Sequence, residues 1–289
     1  MRLSTLYPQG TPFAVPELHD AIFSGFDQTD FTNFACTSKW NRAITREHLA
    51  RVYNIAKALG RYMAVEDVPR FQAIQKYTGM IISGSFALRF MGQYSFVESD
   101  LDLYIPYSTA MIVIHFLTCR GYTYTPRSTQ DPDLYSALEY TDPALVVAHD
   151  ALSESERRDW QPYSNHVGTF TFMRGETKVQ VMTCRYNAIC ALFDFHSTVV
   201  MNAITHDAAI SLYPYETFIH KRNLVIDPWE YNVDHTSRQQ AAVMKYAARG
   251  WRMIKDVDII EGLNSSREYG RLCRFVGDSM TRVIPLSAK

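Results

Sequence analysis

One short stretch of this chain constrains its fold more than any other. Residues 83–105 read SGSFALRFMGQYSFVESDLDLYI, and the apolar run Met80–Ile82 leads into them. Asp100 and Asp102 lie two residues apart inside a second apolar run, and side chains at that spacing on a strand point to the same side. The pattern therefore predicts two strands joined by a short helix, with a pair of carboxylates on one face of the second strand.

The Gly84-Ser85 turn has the chemistry of a phosphate-binding site. It lies where the first predicted strand would turn directly into the helix. Glycine allows a phosphate group to approach closely, and the free N–H groups of a helix start, together with the Ser85 hydroxyl, can bind its oxygens. The same residues before a helix also form ordinary turns with an N-cap, so this signal alone leaves both interpretations open.

The two aspartates suit a divalent metal ion. Two carboxylates on one face repel each other, and a cation relieves that repulsion. Mg²⁺ is commonly bound by one or two carboxylates together with substrate phosphates, and two such ions can organise an in-line displacement at phosphorus. The alternative is a structural interaction protein in which the acidic pair is incidental, and it predicts that Asp100 and Asp102 face bulk solvent.

Composition narrows the class of protein. The chain has 289 residues, of which 47% are hydrophobic and 20% are charged, as in folded globular proteins. Its net charge of -1 gives no overall sign of nucleic-acid binding. Five scattered cysteines without a CxxC pair argue against a disulfide framework or a zinc site. Because no apolar run reaches the length of a membrane span, we expect no membrane partner and an intracellular location, cytoplasmic or nuclear.

We predict three parts along the chain. Residues 1–40 are rich in Pro, Gly, Phe and Asp without clear periodicity, which indicates an irregular N-terminal arm. Residues 41–185 alternate helical and strand patterns and form an α/β core. Residues 186–289 read as a mainly helical C-terminal region, with two short helices over 187–213 and a longer helix from about Thr236 through Ile254.

The strand, Gly-Ser turn, helix and Asp-x-Asp strand together resemble the signature of the nucleotidyltransferase superfamily with the DNA polymerase β-like fold. The matching positions are Gly84, Ser85, Asp100 and Asp102. The resemblance covers residues 78–125 and, by strand order, extends to 185. Residues 195–214 are also similar to fungal proteins of this type. The resemblance implies an α+β fold with an α/β core, in which helices flank a mixed sheet.

The resemblance also implies an activity. Proteins of this superfamily move a nucleoside monophosphate from a triphosphate onto a hydroxyl and release pyrophosphate. By resemblance, we expect a Mg²⁺- or Mn²⁺-dependent enzyme in which Gly84 and Ser85 hold the triphosphate. Asp100 and Asp102 would be catalytic and would hold the metal. The sequence leaves open the base and whether the acceptor is a nucleic acid, a protein or a small molecule.

One position departs from the pattern of the superfamily, which normally carries a third carboxylate on a later strand. Val167–Met173 and Lys178–Met182 flank a turn at Gly175 and predict a hairpin. Gln180 on its second strand would point into the site, near the acceptor. An amide can ligate a metal weakly through its oxygen but cannot serve as a base. The alternative function is therefore a catalytically impaired nucleotide-binding or regulatory protein on the same fold.

A carboxylate from elsewhere could also replace the missing one. The candidates are Glu176, Asp133, Glu139 and Asp150.

Basic residues follow one another at helical spacing near the C-terminus. Lys245, Arg249 and Arg252 would share one face of the predicted helix. They could contact a triphosphate or a nucleic-acid backbone, or they could form an ordinary solvated face. The resemblance favours the first reading, because such folds need cations opposite the metal pair. We therefore predict Lys245 and Arg249 as nucleotide-binding residues.

Overall fold

The computed structural model describes residues 16–23, 25–26, 28–95, 100–146, 165–226, 233–254, 268–269 and 274–286. The chain divides into two compact units: the smaller comprises Met1–Ile55 and Ile284–Lys289, and the larger comprises Ala56–Val283. These boundaries differ from the three parts predicted from the sequence.

The smaller unit is mostly helical over the described residues of its N-terminal segment. Its helices are α1 Pro16–Phe23, α2 Gln28–Thr37 and α3 Lys39–Val52. Phenylalanine rings contact one another at centroid distances between 5.1 and 5.8 Å, and they come from Phe23, Phe26, Phe31 and Phe34. The irregular arm predicted for residues 1–40 is therefore wrong for α1 and α2. Ring contacts stabilise these helices, and such contacts produce no regular apolar stripe along the sequence.

The larger unit is built around a mixed β-sheet. The strands of the described chain are β1 Ile81–Ser83, β2 Leu101–Pro106, β3 Thr123–Tyr124, β4 His166–Arg174, β5 Thr177–Cys184, β6 Asn202–Ile204, β7 Ala208–Ser211, β8 Arg222–Leu224, β9 Arg252–Ile254 and β10 Arg282–Pro285. Among the described residues, eight strands form one sheet in the order β10-β7-β6-β1-β2-β5-β4-β3. The mixed α+β class predicted from the sequence is confirmed.

Three neighbouring strands position the predicted site. β2 lies antiparallel to β1 on one side and parallel to β5 on the other. β4 and β5 form the predicted hairpin, with Gly175 at φ 56° in its turn. Leu101 and Leu103 of β2 are fully buried, as are Val179 and Val181 of β5. Because side chains alternate along a strand, the residues between them lie on the opposite face.

Seven α-helices follow α3 in the described part of the chain. They are α4 Ile55–Leu59, α5 Val68–Thr78, α6 Gly84–Gly92, α7 Ala110–Thr118, α8 Leu134–Glu139, α9 Pro143–Val146 and α10 Val233–Ala248. α6 begins directly after β1, as the sequence predicts. None of the helices in the described part of the chain is both long and apolar enough to cross a membrane.

The prediction of two short helices over residues 187–213 is confirmed for residues 188–200, where both helices are of the 3₁₀ type, and is wrong for residues 202–211. The chain there forms two 3₁₀ segments, Ala188–Asp194 and Thr198–Val200, followed by β6 and β7. All three residues of β6 are buried. A strand that is buried on both faces shows no alternation of polar and apolar residues, so its sequence resembles a buried helix.

The last predicted helix is shorter than expected. α10 ends at Ala248, and Gly250 at φ 96° takes the left-handed conformation that commonly ends a helix. The chain then enters β9, which pairs in parallel with β8. Besides this helix, the region 186–289 contributes β6, β7 and β10 to the eight-stranded sheet, and β8 and β9 form a separate two-stranded sheet.

Candidate phosphate and metal site

Asp102 lies against the start of α6. It pairs in register with Ser83, the last residue of β1. Gly84 follows with φ 67°, and a Cβ atom added to it would lie 2.2 Å from Oδ2 of Asp102. Glycine is required here for two reasons: its backbone is left-handed, and its missing side chain leaves room for the carboxylate.

The amide groups at this end of α6 are suited to an anion. The first N–H groups of a helix have no partner within the helix. Ser83 occupies the N-cap position, but its side chain makes no capping hydrogen bond, because its hydroxyl donates to the carbonyl oxygen of Asn202 at 2.5 Å. Ser85 is buried in the first turn. A phosphate bound at these amides would lie beside the Asp102 carboxylate, so a cation between the two groups would offset their repulsion.

Burial and a neighbouring charge perturb Asp102. Burial and, to a lesser extent, the negative charge of Asp100 raise its pKa to about 7, although the positive charges of Lys245 and Lys178 oppose this shift. The charged form of Asp102 is therefore under-compensated in the folded protein. In the part of the chain that the structure describes, no side chain donates a hydrogen bond to this carboxylate.

Asp100 has a different environment. Nζ of Lys178 donates a hydrogen bond to its Oδ2 at 2.7 Å, and the two side chains are 35% and 42% exposed, respectively. The sequence analysis did not identify Lys178 as a site residue. The signal was present: Lys178 lies two residues before Gln180 on the same strand, and side chains at that spacing share a face.

Gln180 lies beside Asp102. The two residues are register partners across the parallel pair β2 and β5, and Thr171 of β4 is the partner of Gln180 on its other side. The structure therefore places an amide at the position where the resemblance implies a carboxylate. Among the described residues, no group of three His, Cys, Asp or Glu side chains could hold a metal ion.

The proposed substitutes for the missing carboxylate are engaged or distant. Asp133 caps α8 by accepting a hydrogen bond from the Ser136 N–H at 2.8 Å. Glu176 is exposed in the hairpin turn, four residues from Gln180, which is about 13 Å along a strand. Glu139 is exposed at the end of α8. Asp150 lies outside the described residues.

Lys245 lies near the carboxylates, whereas Arg252 does not share its helix. Burial lowers the pKa of Lys245 and the charge of Arg249 lowers it further, while Asp102 and Asp100 oppose both effects. Arg249 follows the end of α10, with its guanidinium carbon 5.7 Å from the ring centroid of Tyr246. Arg252 belongs to β9, so the predicted helix face of three basic residues is wrong at its third member.

The residues present fit a magnesium ion in part. Asp102 is a partly buried carboxylate beside helix-start amides, and Mg²⁺ needs only one or two carboxylates when phosphate supplies further oxygens. Asp100 already has a cationic partner in Lys178. The incidental-pair hypothesis required both aspartates to face bulk solvent, and Asp102 does not meet it because its carboxylate packs against Gly84.

We compared the chain with models of known protein families, with curated proteins and with solved structures, and none of them matches.

Proposed function

We propose that the protein binds a nucleoside triphosphate with Mg²⁺ or Mn²⁺ at a nucleotidyltransferase-like site formed by the start of α6 and by β2. The observation that carries this proposal is the contact between Gly84 and Asp102. It brings helix-start amides, which have no partner within the helix and favour phosphate, next to a carboxylate that favours a cation. A metal–triphosphate complex satisfies both groups at once.

Each residue has a separate task in this proposal. The amides of Gly84 and Ser85 bind phosphate oxygens, and Asp102 holds the metal. Lys245 offsets the remaining negative charge of the triphosphate, because it already interacts with both carboxylates. Arg249 lies close enough to Lys245 to lower its pKa, and it adds a second positive charge on this side of the site. The metal, when bound, neutralises phosphate charge and favours displacement at phosphorus.

The position of Gln180 favours binding without efficient transfer. Transfer of a nucleotide to a hydroxyl requires that a proton leave the attacking oxygen, and the amide beside Asp102 cannot accept it. The protein would then be a regulatory or sensing protein that uses the nucleotide as a ligand. The acceptor, nucleic acid or small molecule, matters only for the second candidate function.

That second candidate is an active nucleotidyltransferase. It is favoured by the contact of the Asp102 carboxylate with the start of α6, because a metal held there would lie beside the phosphates and favour displacement at phosphorus. Incubation with each α-labelled nucleoside triphosphate, Mg²⁺ or Mn²⁺ and mixed acceptors tests it. Transfer of the label to an acceptor together with pyrophosphate release, both lost in Asp102→Asn, would establish transfer, and the absence of labelled acceptor with every substrate would leave binding as the function.

Calorimetric titration tests the binding itself. We expect the wild-type protein to bind at least one nucleoside triphosphate in the presence of Mg²⁺, and Asp102→Asn to bind it at least about tenfold more weakly. The matched control is Asp207→Asn, which neutralises an exposed aspartate in the turn between β6 and β7. Equal affinities in the wild type and Asp102→Asn would refute the proposal.

A further inference from the structure

The ion pair between Lys178 and Asp100 is set by the backbone of the sheet. β2 and β5 are parallel neighbours, and Leu101 pairs in register with Val179. The residues that precede these two, Asp100 and Lys178, are therefore also neighbours, on strands about 4.8 Å apart. The Lys178 ammonium donates a hydrogen bond to the Asp100 carboxylate at 2.7 Å. The register of β2 and β5 therefore brings the two residues together.

The ammonium occupies a position that a metal ion would need. A lysine ammonium and a divalent ion repel each other when both approach the same carboxylate oxygen. Asp102 differs from Asp100, because within the described residues it has no hydrogen-bonded cation and feels Lys178 and Lys245 only as neighbouring charges. The two aspartates are therefore unequal as metal ligands.

The number of acidic ligands leads to the same result. Two divalent ions bring four positive charges, and in two-metal sites they lie roughly 3.5–4 Å apart. Here the two carboxylates supply two negative charges, Lys178 offsets one of them, and Gln180 is neutral. With Asp100 engaged by Lys178, one carboxylate remains for metal ions, and the triphosphate supplies the other oxygens.

We infer that Lys178 takes the place of one of the two divalent cations, so that the site binds a single metal ion, at Asp102, with its triphosphate. This inference rests on the proposed function and specifies its metal requirement. Lys178 thereby determines the metal stoichiometry of the site, and replacing it by a neutral side chain of similar length opens a second metal position at Asp100.

Electron paramagnetic resonance of Mn²⁺ tests the inference, with inorganic triphosphate as a probe that carries no base. We expect about one protein-bound Mn²⁺ per chain in the wild type and in Lys178→Arg, and about two in Lys178→Met, whose spectrum should broaden because the ions are close. Lys76→Met is the matched control, since Lys76 is an exposed lysine on α5. Circular dichroism of each variant establishes that it is folded.

The outcomes separate the inference from the function on which it rests. Two bound ions in the wild type would overturn the inference while leaving triphosphate binding intact. An unchanged single ion in Lys178→Met would do the same, because Lys178 would then not be what excludes the second ion. If the wild type binds neither triphosphate nor Mn²⁺, and Lys178→Met binds neither as well, the proposed function fails and the inference falls with it.

Discussion

Two carboxylates in the larger unit, those of Glu216 and Asp102, differ in how their negative charge is compensated. Glu216 is almost fully buried and accepts hydrogen bonds from Nε and Nη2 of Arg222 at 2.5 and 2.7 Å. Asp102 is perturbed by burial but has no hydrogen-bonded partner among the described residues. The charge of Glu216 is offset by a hydrogen-bonded arginine, whereas the charge of Asp102 is offset only by the neighbouring charges of Lys178 and Lys245. A fold that leaves a carboxylate under-compensated favours a ligand that brings positive charge.

A second buried ion pair, between Arg274 and Asp278, resembles the pair formed by Glu216. Nε of Arg274 donates to Oδ2 of Asp278 at 2.6 Å, both side chains are buried, and this contact holds the pKa of Asp278 well below its ordinary value. Ion pairs of this kind stabilise the fold, whereas the Asp102 carboxylate, which lacks such a partner among the described residues, is available to a cationic ligand. The following predictions test this contrast.

Neutralising one carboxylate of each kind should have opposite effects on stability. Glu216→Gln removes the carboxylate charge from its ion pair with Arg222, and breaking a buried pair in this way lowers the free energy of unfolding by about 3–5 kcal/mol. Asp102→Asn removes an ionised group whose pKa is raised to about 7, so near neutral pH it should leave stability unchanged or raise it. Urea denaturation of both variants provides the comparison, and a large loss in Asp102→Asn would contradict it.

Glu268 should make stability depend on pH. Burial raises its pKa from 4.5 to about 7, although it accepts hydrogen bonds from the N–H groups of Tyr215 and Glu216. The folded state therefore binds the proton more tightly than the unfolded state, so the contribution of Glu268 is greatest below pH 4.5 and is lost as the pH rises to 7. Between pH 4.5 and 7, the free energy of unfolding should therefore fall by up to about 3 kcal/mol less in Glu268→Gln than in the wild type.

The measurement is the difference in unfolding free energy between Glu268→Gln and the wild type at several pH values from 4 to 8. Taking the difference cancels the slope of the same sign that Asp102 contributes in both proteins. A difference that does not change with pH would show that Glu268 keeps its ordinary pKa in the folded protein.

Substitutions at two glycines distinguish the effect of backbone strain from the effect of a contact with the site. Gly84 and Gly79 have similar φ values of 67° and 71°, but a Cβ at Gly79 would meet nothing within 4 Å. Gly79→Ala and Gly84→Ala should each lose about 1–2 kcal/mol of stability from the left-handed backbone. Only Gly84→Ala should also weaken Mg²⁺–triphosphate binding, by about tenfold or more, because its methyl group displaces the Asp102 carboxylate. Equal binding by the two variants would argue against the site.

Restoring a carboxylate beside Asp102 should have the smallest effect on stability. Gln180→Glu places a third acidic group next to the pair, so it should tighten metal binding while lowering stability by about 1 kcal/mol through like-charge repulsion. Gln180→Met is the neutral control. Metal titration monitored by Mn²⁺ resonance measures the change, and an affinity in Gln180→Glu no higher than in the control would place Gln180 outside the metal site.

The sequence predicts the central part of the fold well, because its signals there are local. The alternation of Leu101, Asp102 and Leu103 fixes which face is buried, and Gly84 marks the turn from strand to helix. The hairpin around Gly175 has equally local chemistry. These features depend on neighbouring residues, so they can be read without knowledge of distant contacts.

The rest depends on contacts between residues distant in sequence. β6 pairs with β1 across more than a hundred residues, and nothing within its own apolar stretch distinguishes a buried strand from a helix. The pairing of Lys178 with Asp100 likewise follows from the parallel register of β2 and β5, and sequence spacing alone does not give that register. The same limit applies to Lys245, because its approach to Asp102 depends on where α10 packs.

The central location of β2 has a consequence for hydrogen exchange. Its backbone amides are bonded within a sheet that continues on both sides, and Leu101, Leu103 and Ile105 are fully buried. Amides in such a strand exchange only when the whole unit opens, with a free energy near that of global unfolding. The strand that carries Asp102 should therefore be among the last parts of the unit to exchange with solvent, which means that a ligand meets a carboxylate already fixed in place.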